Sequence, residues 1–411
     1  MKYVIIGNSA AGIGCAEGIR KLDKEGEIII ISSEKHHTYS RPLISYLLCG
    51  KTDEERMKYR PNSFYEDNNI ELRLGTTAVQ VNSKEKYIEC CGGEKIPYDK
   101  LMIAAGSYPF VPKTEGYDTV PEKFTFMTLD SALSLQSALK PGSRVLVVGA
   151  GLIGLKCVEG IFDKVAVVTV VDMANRILPS VLDEKGSAVM QSYMERRGVE
   201  FILGDSIASY SGTHAVLSSG KELDFDILVT AVGVRPNTSL AEGAGCKVNR
   251  GIVIDSSCRT SIDDIYAAGD CTLSHDVTSG TDKILALLPN AYMQGEVAGT
   301  NMAGGSAEYS KAIAMNAMGL FGLHYVSAGS YDGEEIIVPT DGEYSYKKLV
   351  VKDGKLKGYI IIGDVERAGI YTSLIREETP LDSIDFEIIK QKPQLMAFAK
   401  SERKEKLGGV R

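Results

Sequence analysis

One pattern of apolar and polar positions occurs twice along the chain: an apolar strand, a glycine-rich turn, a helix, a second apolar strand and an acidic residue. In its first copy Tyr3 to Ile6 enters Gly7, Asn8, Ser9, Ala10, Ala11 and Gly12, followed by a helix to about Leu22, a strand from Ile28 to Ile31, and Glu34. In the second, Val145 to Val148 enters Gly149, Ala150, Gly151, Leu152, Ile153 and Gly154, followed by a helix to about Phe162, a strand from Val165 to Val171, and Asp172. The strands are continuous apolar runs without alternation, which suits parallel strands buried on both faces. An α/β protein with two Rossmann-like units is therefore predicted. From Ser310 the character changes. Short β-rich runs, Lys348 to Val351 and Leu356 to Ile362, flank Asp353-Gly354, a hairpin signal that predicts a third, α+β domain. From Lys390 basic residues dominate, and a mobile or helical tail is expected.

A length of 411 residues agrees with several domains. The 42 glycines exceed an average share and ask for a use beyond the two turns. A net charge of -8 turns attention from nucleic acid and anionic membranes to small molecules. The cysteines (Cys15, Cys49, Cys90, Cys91, Cys157, Cys246, Cys258, Cys271) form no C-x-x-C pair, zinc spacing or disulfide framework, so a reducing cytoplasm is expected. Cys49 reads as a core residue, and Cys90-Cys91 as an incidental pair in a polar turn. The beginning of the chain lacks signal-peptide character, and no apolar run reaches about 18 residues, so neither export nor a membrane span is expected. His36, His37, His214, His275 and His324 have no ligand spacing, and no metal site is expected.

Each glycine of the second turn has its own purpose. Gly149 permits the tight turn, Gly151 lets backbone approach a pyrophosphate, and Gly154 lets helix pack on strand. The helix start then offers free N–H groups to phosphate. Asp172 can accept from both ribose hydroxyls and would repel a 2′-phosphate, which predicts NADH over NADPH. In the first turn Ser9 replaces the second glycine. Gly7, Gly12 and Glu34 still match and Ala10 and Ala11 are small, although a strand-helix turn without a ligand would also satisfy these residues alone.

Four further segments bear on that choice: Leu101 to Gly106, Asp226 to Asn237, Ile265 to Asp270, and Leu288-Pro289-Asn290-Ala291. With the two turns, in this order, they resemble the two-dinucleotide-binding-domain flavoproteins, the pyridine nucleotide-disulfide oxidoreductase family, from Met1 to about Asp382. The resemblance implies FAD and NAD(H) as cofactors. It implies an FAD domain split between residues 1–107 and 238–307, an NAD domain at 108–237, a C-terminal interface domain at 308–385 and a basic tail at 386–411. Gly7, Ser9, Ala10, Ala11, Gly12, Glu34, Arg41, Pro42, Val79, Ala104, Ala105, Gly106, Gly269, Asp270, Leu288 and Pro289 would meet FAD, with Asp270 on the ribityl chain. Gly149, Gly151, Leu152, Ile153, Gly154, Glu159, Asp172, Val232 and Gly233 would meet NAD(H). Glu159 would approach the nicotinamide, the alternative being a solvated helix residue.

The family's redox cysteine is missing. Arg41 stands where a single cysteine would align, in Tyr39-Ser40-Arg41-Pro42-Leu43-Ile44-Ser45-Tyr46-Leu47-Leu48, which resembles the branch of NADH:rubredoxin reductases and the flavin segment of nitrite reductases. Arg41 would contact the FAD pyrophosphate or the flavin rim, or else cap a surface loop. Electrons would then leave the flavin directly for a small iron–sulfur carrier, rubredoxin or ferredoxin-like, in a single enzyme or a larger complex, in either direction. Lys390, Lys392, Lys400, Arg403, Lys404 and Lys406 are candidates for docking that carrier, the alternative being a solvated tail without a partner. An oxidase that reduces oxygen to peroxide, and a flavin-binding regulatory or assembly protein without turnover, remain as alternatives, and a homodimer is compatible with either.

Overall fold

Strand Lys2–Ile6 lies at the centre of a five-stranded parallel sheet. Glu27–Ser32 and then Ile70–Leu74 lie on one side of it, Lys100–Ile103 and then Ile265–Ala267 on the other. Successive residues of the central strands enter different apolar layers: Tyr3, Ile5, Ile28 and Ile30 one, Val4, Ile6, Ile29 and Ile31 the other. Burial on both faces is why these runs do not alternate. This computed structural model describes residues 1–398.

The second sheet repeats the plan. Arg144–Val148 is central, with Val167–Asp172 and Glu200–Leu203 on one side and Ile227–Thr230 and Lys123–Thr125 on the other, all parallel. Each unit also carries a three-stranded antiparallel meander, Ala78–Asn82 to Lys95–Pro97 in the first and Ile207–Ser211 to Glu222–Asp224 in the second. The chain leaves the first unit at Ser107–Pro109 and returns at Val234–Pro236, and these two strands pair with each other. Ile265–Ala267 then completes the first sheet.

The third unit is a five-stranded antiparallel sheet in the order Met315–Leu320, Leu323–Gly329, Lys355–Ile362, Tyr346–Lys352, Glu334–Ile337. Asp353 and Gly354, both left-handed at φ 52 and 66, make the expected hairpin turn. Helix Ala368–Arg376 covers one face through Tyr371, Leu374 and Ile375. Lys348 fastens this unit to the second one, its ammonium lying 2.7 Å from Asp183 and 2.8 Å from Glu335.

Three expectations need correction. The segment read as a tail begins inside the third core, where Ile389 of helix Phe386–Gln391 and Phe398 are buried with Leu349 and Tyr359; Lys400, Arg403, Lys404 and Lys406 lie outside the described residues. Cys49 is half-buried at the C-cap of helix Ile44–Leu48, where its thiol faces the Tyr46 carbonyl at 3.5 Å, and not in the core. Cys90 ends strand Tyr87–Cys90 with its side chain buried, and only Cys91 occupies the exposed turn.

Helices Ala10–Leu22 and Leu288–Met302 pack backbone against backbone, which accounts for part of the glycine excess. A Cβ at Gly14 or Gly18 would stand 2.4 or 2.3 Å from the carbonyl oxygen of Tyr292 or Glu296. One at Gly295 or Gly299 would stand 2.0 Å from that of Ala11 or Cys15. The contact holds the first glycine-rich turn and the start of Leu288–Met302 side by side.

Candidate dinucleotide sites

The two turns are built alike. Gly7 and Gly149 have φ of 119 and 117, and a Cβ on either would strike the carbonyl of Ala104 (2.2 Å) or Ala231 (2.3 Å), each just past the end of the neighbouring strand. Gly12 and Gly154 face the oxygens of Gly7 and Gly149, at 1.9 and 2.0 Å from their own notional Cβ positions. Gly151 differs, since no heavy atom lies within 4 Å of such a Cβ. Close chain packing therefore explains Gly7, Gly12, Gly149 and Gly154, whereas Gly151 keeps a space open.

Ser9 and Gly151 are the N-caps of helices Ala10–Leu22 and Leu152–Ile161, and neither supplies a side-chain cap. Leu287, ahead of Leu288–Met302, supplies none either. Thr128 and Asp183 do cap their helices, accepting from Ser131 and Gly186. Three helix starts thus keep orphan N–H donors and a partial positive charge, a match to phosphate and to negative charge on a reduced flavin. Ala10, Ala11, Leu152 and Ile153 form the first turns, and Leu288 and Pro289 open the third helix.

Glu34 follows the second strand of its unit, and Asp172 ends the second strand of the other. Asp172 accepts from the N–H groups of Ala150 (2.6 Å) and Ala174 (2.8 Å), which draws the glycine turn and the following loop to one carboxylate. Glu34 accepts from Tyr39 Oη at 2.6 Å and from the Arg41 guanidinium. Arg41 also donates to the Met127 carbonyl at 3.3 Å, and Pro42 lies beside it in a short 3-10 turn. Asp270 accepts from Ser107 Oγ at 3.1 Å; burial pushes its carboxyl up, opposed by Ser107 and Arg41. Gly269 gives its N–H to Gln294 at 2.9 Å, joining this loop to Leu288–Met302. Ala105 is half-buried, and Gly106 and Gly233 have open space at their Cβ positions. Val79 and Val232 are exposed.

Glu159 is buried and points to the third unit. It accepts from the Phe321 N–H at 2.9 Å and pairs with Lys156, whose ammonium lies 4.3 Å from the Tyr46 ring centre. Lys156, Tyr46 and Phe321 escaped the sequence reading. The Lys156/Glu159 spacing of three on one helix face was the available signal. A second overlooked group surrounds Tyr65, which donates to Asn8 Oδ1 at 2.7 Å and accepts from the Thr38 N–H at 3.3 Å. Asn8 Nδ2, Thr38 Oγ1 and His37 Nε2 are buried there without partners. Nothing in the sequence tied Tyr65 to the first turn.

Residues 1–295 match the pyridine nucleotide-disulphide oxidoreductase family, and residues 315–379 match the rubredoxin NAD+ reductase C-terminal domain. The chain belongs to the pyridine nucleotide-disulphide oxidoreductases. Among relatives of this flavoprotein is the epsilon subunit of the NADH-dependent phenylglyoxylate dehydrogenase of Aromatoleum evansii, 30% identical over 392 residues and 92% of either chain. An NADH oxidase of Methanocaldococcus jannaschii is 35% identical over 321 residues, 75% of this chain and 71% of that one. The crystal structure of NADH:rubredoxin oxidoreductase from Clostridium acetobutylicum has a TM-score of 0.74 at 26% identity, covering 93% of this chain and 95% of that one. The flavoprotein is an FAD-dependent oxidoreductase of NAD(H). Its residues fit both dinucleotides: the space at Gly151, the uncapped helices and the unpartnered Asn8 and Thr38 are features that a bound diphosphate and ribose would complete. Among the described residues no helix is long and apolar enough to cross a membrane, and no cluster of three His, Cys, Asp or Glu could hold a metal ion.

Proposed function

We propose that the chain carries electrons from NADH to a one-electron iron–sulfur protein of rubredoxin or ferredoxin type, in a reducing cytoplasm. The carrying observation is the lack of a thiol at the aligned position after Glu34. Arg41 occupies the aligned position, helix Ile44–Leu48 has no cysteine, and Cys49 is turned to the Tyr46 carbonyl. Burial pushes the Cys157 and Cys271 thiols up, so neither is a ready thiolate. FAD, when bound, accepts two electrons as hydride and can release them one at a time. The rubredoxin NAD+ reductase C-terminal match and the resemblance to the Clostridium acetobutylicum enzyme support the same acceptor class.

In this reading residues 1–107 and 238–307 hold FAD and residues 108–237 hold NADH. Gly149, Gly151 and Gly154 receive the NADH diphosphate, and Asp172 accepts from its adenosine ribose and disfavours a 2′-phosphate. Gly7 to Gly12 and Glu34 do the same for FAD. Arg41 offers positive charge at the diphosphate or flavin rim, Asp270 accepts from the ribityl chain, and the start of Leu288–Met302 stabilises negative charge on the flavin pyrimidine. The chain's task is orientation and electrostatics, without an acid-base residue.

Anaerobic stopped-flow mixing of the FAD-loaded protein with NADH, then with rubredoxin, ferredoxin or oxygen, tests this. Rapid bleaching with reoxidation fastest by an iron–sulfur carrier is expected. Reoxidation efficient with oxygen alone would assign an oxidase, a reading favoured by the Methanocaldococcus jannaschii relative. No bleaching would overturn the NADH reaction.

A further inference from the structure

The loop that presents Glu34 is strapped to the second unit. Tyr39 is 8% exposed, and its hydroxyl both donates to Glu34 Oε2 at 2.6 Å and accepts from the Leu129 N–H at 2.9 Å. Leu129 is the first residue of helix Leu129–Ala138, which packs beside the second sheet. Two contacts run parallel: Arg41 to the Met127 carbonyl at 3.3 Å, and His36 Nε2 to Asp130 Oδ1 at 2.7 Å. Of the three, the Tyr39 contact is the buried one, and it forms a continuous chain from N–H through O–H to carboxylate.

We propose that Tyr39 is a positioning residue that couples occupation of the FAD site to the placement of the NAD unit. The proposal rests on the reading that Glu34 holds the FAD ribose. A carboxylate has room for about four hydrogen bonds, so ribose hydroxyls and Tyr39 can share it. In a hydrogen-bonded chain each link polarises the next, and hydrogen bonds donated to Glu34 by ribose hydroxyls are felt at the Leu129 N–H. FAD and NAD(H) then bind with a mutual coupling free energy, which is reciprocal. Hydride transfer needs the two dinucleotides in register, so the same strap sets the approach distance between them.

The test is the rate of FAD release from the holoenzyme, read by the fluorescence of freed FAD, with and without saturating NAD+. In the native protein NAD+ should slow release by about fivefold or more, the low end of usual coupling. Tyr39→Phe should still hold FAD and bind NAD+, but NAD+ should leave the release rate unchanged, and hydride transfer from NADH should slow. Leu129→Pro is a second variant: it deletes the N–H that Tyr39 accepts at a first-turn position where proline is tolerated. A native factor of one, or variants that keep the native factor, would overturn the proposal. If Glu34→Gln releases FAD at the native rate, it is the ribose reading that fails, whatever Tyr39→Phe does.

Discussion

Gly295 lies so close to Ala11 that a Cβ on it would stand 2.0 Å from the Ala11 carbonyl oxygen. Gly295→Ala must therefore push helix Leu288–Met302 away from Ala10–Leu22. Overpacking of this kind costs about 1–3 kcal/mol. The variant should melt at lower temperature and release FAD faster, because the two helix starts displaced are those proposed to face the cofactor. Thermal melting and FAD fluorescence measure both; a native Tm would show that the helices separate without cost.

Gly151→Ala should do the reverse. Its φ of -84 suits alanine, and no protein atom lies within 4 Å of the new methyl. Removing a glycine at such a position stabilises by about 0.4–1 kcal/mol through the unfolded state. The methyl fills the space that a diphosphate would use, so KM for NADH should rise while Tm holds or increases. Steady-state kinetics beside a melting curve separate the two effects. An unchanged KM would place the diphosphate elsewhere.

The difference between these glycines also marks what the sequence could disclose. Strand, turn, helix and acidic residue lie within a few tens of residues, so Gly7, Gly149, Asp172 and the hairpin at Asp353-Gly354 announced themselves through local spacing. Gly14, Gly18, Gly295 and Gly299 carry equal structural weight, but their partners come from the other end of the chain, and a lone glycine in a helix says nothing of what approaches it. The same distance hid Phe321 from Glu159 and Tyr65 from Asn8. The basic run after Lys390 misled for another reason: two short apolar groups beside the charges, Phe386 and Ile389 before it and Leu395, Ala397 and Phe398 within it, decide where that segment packs.

Glu159→Ala should act on stability more than on nucleotide binding. It leaves the Phe321 N–H and the Lys156 ammonium without their carboxylate, and Phe321 is held in the left-handed region at φ 51. Losing one member of a buried polar contact of this type costs about 2–4 kcal/mol. A clear fall in Tm is expected, with KM for NADH within about twofold of native. A large rise in KM with native Tm would instead assign Glu159 to the nicotinamide.

Lys347 predicts a pH dependence. It is 7% exposed, its ammonium donates to the Gln391 carbonyl at 3.0 Å, and it lies 5.1 Å from the Tyr371 ring centre. Burial pushes its pKa down to about 8, opposed by Asp364, against about 10.4 in an unfolded chain. Between those values the unfolded chain holds a proton that the folded one has lost, so unfolding takes up a proton and stability rises with pH. Below about pH 8 both states are protonated and the burial penalty is fully present. Lys347→Met keeps the apolar stem and does not titrate. Relative to that variant, native stability in urea should climb from about pH 8 to about pH 10, by at most about 2–3 kcal/mol. Titrating tyrosines remote from Lys347 affect both proteins alike and cancel in the difference. Parallel stability curves would mean that the ammonium keeps its water, and that helix Phe386–Gln391 does not seal the site.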